Sequence, residues 1–320
     1  MRIEAFSEGK DPARPEANED RLVILPGRGY AVIDGVTARI DARYDGMLAG
    51  QYGATLVADA LTTLLAEDRC DDARELVPAL TATIAAAYAR HGIRERARGD
   101  HAHRFSATLA LALERPDHFE ILLIGDSGVR LGGARDIRLE KDLDHVTATL
   151  RREAWRVVAA RGTVDEARET ASRRVAWHGT RQPADGLAGA LDAADLAAMP
   201  HLPRGDVERL IRGGIVNAQG EFQNACGSAL GYSCLDGFEV AMEFVHHERV
   251  PREAAMAVEL YTDGYFKPGD GFGIDAWERA FAEVEAEDPA KIGRYPSTKG
   301  TLGAIKADDQ IGRASCRERV

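Results

Sequence analysis

Tyr30–Gly35 reads YAVIDG, a short apolar run that stops at Asp-Gly. That is the pattern of a buried strand ending in a turn, and it presents Asp34 at the strand tip. The same design returns late in the chain. Ala255–Tyr261 (AMAVELY) is a second strand-like run, and it ends at Thr262-Asp263-Gly264.

Between these two strands the periodicity changes twice. Gly50–Leu65 and Leu76–Tyr88 repeat their apolar residues every three or four positions, so each reads as an amphipathic helix. Ser106–Leu113, Phe119–Ile124 and Gly128–Leu131 then read as strands, separated by Arg-Pro-Asp and Gly-Asp-Ser turns, an antiparallel meander. From about 144 to 231 the pattern is less regular. Helical pieces at Val164–Val175, Leu191–Met199 and Asp206–Arg212 mark this stretch as an insertion or flap. Gly237–Val245 alternates like a strand, and a helix is expected over Ile274–Ala286. Strands, then helices, then several strands in succession indicate segregated α+β layers rather than alternating βα units.

Composition narrows the function. The chain has 320 residues, 45% of them hydrophobic, enough for a sizeable core. A formal charge of -11 argues against a general nucleic-acid binder, whose affinity comes from clustered Lys and Arg. No apolar run is long enough to span a membrane, and Met1–Lys10 lacks the layout of a signal peptide, so a cytoplasmic protein with no membrane partner is expected. The four cysteines, Cys70, Cys226, Cys234 and Cys316, form no CxxC pair and read as isolated reduced thiols.

Acidic residues cluster at the expected loops and strand ends: Asn18-Glu19-Asp20, Asp34-Gly35, Asp263-Gly264 and Asp308-Asp309. Hard divalent cations take oxygen ligands, and Mg²⁺ needs only a few carboxylates because it keeps several waters. Taken singly, an Asp-Gly is most often a plain turn. The order and strand context of all four are what single them out.

In that order the chain resembles the metal-dependent type 2C serine/threonine protein phosphatases, in a divergent bacterial branch. The matching pieces are Asn18-Glu19-Asp20, Tyr30–Val36 (YAVIDGV), Phe105–Leu109 (FSATL), Ile124–Val129 (IGDSGV), Asp142–Val146 (DLDHV), Glu259–Lys267 (ELYTDGYFK) and Ala307–Asp309 (ADD). The resemblance implies a central β-sandwich of two antiparallel sheets flanked by antiparallel helix pairs, four layers in all, over residues 1–310. It implies two Mn²⁺ or Mg²⁺ ions. Asp34 would bridge them and Gly35 would offer its carbonyl. Glu19, beside Asp20, would act through water, and Asp263 with Asp308 or Asp309 would complete the first ion. Asp126 would support the site, or cap backbone amides in its turn. His101 or His103, just before the SAT strand, could protonate the leaving alkoxide; a surface-loop histidine is the plainer reading. The implied reaction is hydrolysis of phosphoserine or phosphothreonine in a phosphoprotein from a serine/threonine kinase signalling system, by a monomer.

The match departs from the family in three places. The position four residues before Glu19, where the family carries a phosphate-gripping arginine, is Pro15; Arg14 is the replacement expected, with Arg21, Arg39 and Arg43 also close in sequence. The usual DGHGG is reduced to Asp34-Gly-Val-Thr. Ile311–Val320 reads IGRASCRERV, which resembles the in-frame translation of a sequencing adapter and so is expected to be a non-native tail in place of the closing strand. An unpaired sheet edge would follow from that loss.

Rival chemistries find less support. Gly125–Gly128 (GDSG) also occurs as the nucleophile turn of chymotrypsin-like proteases, but two helical blocks precede the meander here and no disulfide set accompanies it. No cysteine begins a C-x5-R loop, and no G-x4-G-K-[ST] loop is present. The remaining alternative is a pseudophosphatase that binds phosphoproteins or partners without turnover.

Overall fold

The computed structural model describes residues 2–67, 70, 72–162, 164–180 and 201–316. In chain order its strands are β1 (Arg2–Glu8), β2 (Arg21–Leu25), β3 (Gly29–Gly35), β4 (Arg43–Tyr44), β5 (Met47–Leu48), β6 (Ala107–Glu114), β7 (His118–Ile124), β8 (Gly128–Leu131), β9 (Arg135–Arg138), β10 (His246–Pro251), β11 (Ala257–Tyr261) and β12 (Gln310–Cys316). The helices are α1 (Ala49–Ala66), α2 (Leu76–Arg90), α3 (Arg94–Gly99), α4 (Asp142–Ala159), α5 (Asp165–His178), α6 (Arg204–Asn217) and α7 (Ile274–Glu287).

Two five-stranded sheets, ordered β1-β12-β11-β8-β9 and β10-β7-β6-β3-β2, carry the fold, and every ladder in them is antiparallel. The α+β sandwich expected from the sequence is therefore present. β6 shows why its sequence is apolar without interruption. Ala110 and Ala112 face Val129, Leu131, Val258 and Leu260 of the other sheet, while Leu109, Leu111 and Leu113 face helices α1 and α2. A strand covered on both faces has no polar side to show.

Helix α1 buries Ala54, Val57, Ala58, Leu61 and Leu65, spaced three and four apart, against that second face. Each fully buried aliphatic side chain there contributes about 1.5–3 kcal/mol relative to exposure. On the other sheet, Trp277 of α7 packs on Tyr261 at 4.6 Å between ring centroids. A buried ion pair braces the same region: Arg130 on β8 meets Glu259 on β11 at 2.5 and 2.8 Å, and the Trp277 indole donates to Glu259 at 2.9 Å.

The chain divides into two compact units. Residues 1–139, 233–283 and 308–320 form the first, which holds both sheets; residues 140–232 and 284–307 form the second. In the second unit, helices α4, α5 and α6 pack together. The buried Arg151 guanidinium of α4 binds Glu169 of α5 and donates to the carbonyls of Lys291 and Ser297. The helix expected at Leu191–Met199 lies outside the described residues.

Two expectations change. Gly237–Val245 is no strand; after a positive-φ Gly237 the chain runs as a loop with a 3-10 turn at Met242–Phe244, and the strand begins at His246. Its alternation reflects packing on α2, where Phe238 stacks on Tyr88 at 5.7 Å and Val240 is buried. Residues 310–316, in the closing position, form β12 with ladders to both β1 and β11, so no open edge arises there. Backbone pairing does not depend on side-chain identity, and Ile311 adds a fully buried apolar residue between the sheets.

Candidate metal centre

Antiparallel pairing brings the acidic segments to one end of the sandwich. The end of β3 pairs with the start of β6, which pairs with the end of β7; the start of β8, the end of β11, the start of β12 and the end of β1 meet likewise. Asp34 thus sits at the tip of β3, Asp126 in the turn from β7 to β8, Asp263 just past β11, Glu19 and Asp20 just before β2, and Asp308 with Asp309 just before β12.

Asp34, Asp126 and Asp263 each offer a carboxylate oxygen, and the three oxygens lie within 4.8 Å of one another. Two like charges at that separation repel by about 3 kcal/mol at an effective dielectric near 20. Burial, followed by the charges of Asp263, Asp20, Asp308 and Asp126, pushes the Asp34 pKa well above the carboxylate range. Asp20 is raised for the same kinds of reason, burial first and then Asp309 and Asp308, with a hydrogen bond from Thr262 working the other way. Such a group must take up protons or cations.

The donor set fits divalent cations. Glu19 and Asp20 are each 4% exposed, and Glu19 Oε1 and Asp20 Oδ2 are buried without a hydrogen-bond partner. Buried carboxylate oxygens left this way are expensive unless an ion meets them. The ligands available are hard oxygens, as Mn²⁺ and Mg²⁺ prefer.

Close backbone approach explains two glycines. A Cβ on Gly35 would lie 2.5 Å from the Gly50 carbonyl oxygen at the start of α1 and 2.8 Å from that of Glu19. A Cβ on Gly264 would lie 2.1 Å from the Asp309 carbonyl oxygen. Only glycine leaves room at either place.

The last acidic pair divides by environment. Asp309, 3% exposed, accepts the Lys10 amide at 2.6 Å and the Glu19 amide at 3.2 Å. Asp308 is half-buried, and its charge acts on Asp34 and Asp20. Sequence reasoning passed over three neighbours. Lys10 Nζ lies 2.6 Å from Glu19 Oε2 and 3.1 Å from Asp309 Oδ2. Thr37 Oγ1 donates to Glu19 at 3.3 Å, and Thr262 Oγ1 accepts the Ile311 amide at 3.0 Å. Thr37 and Thr262 sit in the quoted acidic segments, but their roles depend on partners outside those segments, Glu19 and the Ile311 amide.

Arg14, His101 and His103 contact neighbours close in sequence. Arg14 points to Asp11, Nε to Oδ2 2.7 Å, with its side chain 67% exposed. His101 and His103 form the 3-10 turn before β6. His103 Nε2 is 3.7 Å from Asp100 and its Nδ1 is buried without a partner. Burial, then Arg104 and Arg39, holds the His101 pKa down to about 4.

A second set of potential ligands, Asp72, Glu120 and His247, also converges. It is already neutralised: Arg74 binds Asp72 at 2.7 Å, and Arg115 and Arg249 reach Glu120 at 3.2 and 3.3 Å. Three guanidinium groups around two carboxylates leave no charge for an ion to offset.

A family model described as protein phosphatase 2C matches residues 16–288. Comparison with curated proteins gave no match. Among solved structures, the chain is similar to the serine/threonine phosphatase Stp1 from Staphylococcus aureus, at 11% identity and TM-score 0.44, covering 100% of this chain and 96% of that one. It is also similar to PppA, a regulatory component of T6SS in Pseudomonas aeruginosa, at 16% identity and TM-score 0.43, covering 98% and 96%. The catalytic domain of the serine/threonine protein phosphatase PstP in complex with 2 manganese ions gives 16% identity and TM-score 0.43 over 98% and 96%.

Proposed function

We infer from membership of the protein phosphatase 2C family, to which this chain belongs, that it hydrolyses phosphoserine and phosphothreonine in proteins with the help of two divalent cations, Mn²⁺ or Mg²⁺. The observation that supports the metal reading is the convergence of Asp34, Asp126 and Asp263 within 4.8 Å, beside the partnerless oxygens of Glu19 and Asp20.

When bound, two such ions lower the pKa of coordinated water and offset charge on the phosphoryl oxygens. The chain's own residues do the rest. Asp34, which feels the charges of both Asp263 and Asp20, would hold both ions, with the Gly35 carbonyl as a further oxygen donor. Asp126 and Asp263 would hold one ion, and Glu19 with Asp20 the other. Asp308, the half-buried member of its pair, is assigned as a ligand, while Asp309 braces the loop through the Lys10 and Glu19 amides. Water adds to phosphorus, the ester P–O bond breaks, and the serine or threonine oxygen leaves with a proton, for which His103 is the assigned donor. Arg14, heading the 15–17 turn into Asn18-Glu19-Asp20, is assigned to the substrate phosphate once it leaves Asp11.

The substrate is a phosphoprotein made by a serine/threonine kinase, met in the cytoplasm by a monomer. Among the described residues no helix is long and apolar enough to cross a membrane. Residues 311–316 of the adapter-like segment stand in for the family's closing strand. A binding module without turnover has no observation in its favour.

The test is hydrolysis of p-nitrophenyl phosphate and a phosphothreonine peptide with Mn²⁺. Asp34→Ala and Asp263→Ala should each reduce turnover by about 10³-fold or more, the loss of some 4 kcal/mol of transition-state stabilisation. Mn²⁺-stimulated turnover that survives both substitutions would overturn the reading.

A further inference from the structure

Lys10 is a cation that the fold itself supplies to the acidic end. It follows β1 and Gly9, and its backbone amide is pinned to Asp309 Oδ1 at 2.6 Å. Its side chain turns inward, leaving 24% exposed, and its ammonium meets three carboxylates: Glu19 Oε2 at 2.6 Å, Asp309 Oδ2 at 3.1 Å and Asp308 Oδ1 at 3.5 Å. The Glu19 contact is a hydrogen bond, and the two aspartates add ion pairs. Glu19 and Asp309 are almost wholly buried, at 4% and 3% exposed, which sets the cluster apart from an ordinary surface ion pair.

Resting on the two-cation reading above, we propose that Lys10 is a tethered competitor for a divalent cation at the Glu19–Asp308–Asp309 end of the site. Ligation by Glu19 or Asp308 would put an ion about 2.0–2.6 Å from oxygens the ammonium now contacts. A divalent ion and an ammonium about 4 Å apart repel by roughly 8 kcal/mol at an effective dielectric near 20, so both cannot stay. The four-carbon stem lets the ammonium swing out to water, which a lysine does readily and a rigid guanidinium fork does less well. In the metal-free chain Lys10 holds the carboxylates together; on loading it is released, and the site exchanges a weak internal cation for a stronger external one. The exchange sets the threshold of ion concentration at which the site fills.

Two measurements on the full chain decide this. Calorimetric titration of the metal-free protein with Mn²⁺ should show Lys10→Met, which keeps the stem and removes the charge, binding roughly tenfold tighter or more than wild type. The metal-free variant should also melt at a lower temperature. Equal or weaker Mn²⁺ affinity in the variant overturns the proposal. In the wild-type chain, which removes any concern over folding of the variant, acylation of the Lys10 amine followed by peptide mass spectrometry should rise when Mn²⁺ saturates. An unchanged labelling rate in protein that has bound Mn²⁺ overturns it as well. Failure of both proteins to bind Mn²⁺ overturns the two-cation reading and this inference together.

Discussion

The carbonyl oxygen of Asp309 occupies the space that a side chain at Gly264 would need, 2.1 Å from the position of its Cβ. Two acidic segments are thereby locked backbone to backbone. Gly264→Ala must push one of them away, and overpacking of this kind costs about 1–3 kcal/mol. We expect a lower urea midpoint and weaker Mn²⁺ binding. Wild-type values for both would show that the contact does not hold the segments in place.

Arg130 and Glu259 are 3% and 0% exposed and paired through two hydrogen bonds. Arg130→Met leaves the carboxylate buried with only Trp277 Nε1 and the Gly273 amide as donors. Loss of one partner from a buried pair costs about 3–5 kcal/mol. Equilibrium urea unfolding should register that loss, and Glu259→Gln in the same background should recover part of it.

Asp308 and Asp309 should separate on substitution. Asp309→Ala removes the acceptor of two backbone amides and should destabilise the metal-free chain by about 1–3 kcal/mol. Asp308→Ala should leave metal-free stability within about 0.5 kcal/mol while weakening Mn²⁺ binding. The opposite pattern, read by melting in chelator and by calorimetry, would exchange their assignments.

Stability should depend on pH through Asp34. Its pKa is raised in the fold, first by burial and then by Asp263 and the other carboxylates. The folded chain therefore holds this proton more tightly than the unfolded one. That contribution is fully present below the ordinary carboxylate range and is withdrawn as pH rises toward the raised value. In chelator, Asp34→Asn should raise the melting temperature more at pH 8 than at pH 5. Saturating Mn²⁺ competes with the same proton, so it should stabilise wild type more at pH 8. A gain from Asp34→Asn that is the same at both pH values would contradict the clustering.

Much of this was legible in the sequence because the informative signals are local. The central strands β3, β6, β7, β8 and β11 are apolar runs bounded by turn residues, and their Asp-Gly or Gly-Asp ends mark the acidic site. The strands that sequence reading passed over include the edges of both five-stranded sheets, β1, β9, β10 and β2. Edge strands expose one side and carry charge, as Arg2–Glu8 and His246–Pro251 do, so their pattern resembles a loop. Helix α4 was hidden by its arginines, of which Arg151 is buried only because Glu169 and several carbonyls receive it. Lys10 was invisible for the same kind of reason: nothing near it in sequence announces partners 299 residues away.

The position of β12, between β1 and β11, has a consequence for how the protein is born. The sheet containing β3 and β6 is drawn from residues 21–251 and can assemble while a ribosome is still translating. The other sheet must wait for residues 310–316, leaving β1 without its neighbour for most of synthesis. The entropy of closing so long a loop grows only slowly with length, about 0.6 kcal/mol per doubling, so the delay is one of timing more than of final stability. Because Asp308 and Asp309 arrive with that strand, a nascent chain cannot offer the complete acidic end to an ion, and capture of the ion becomes a report that translation has passed this point.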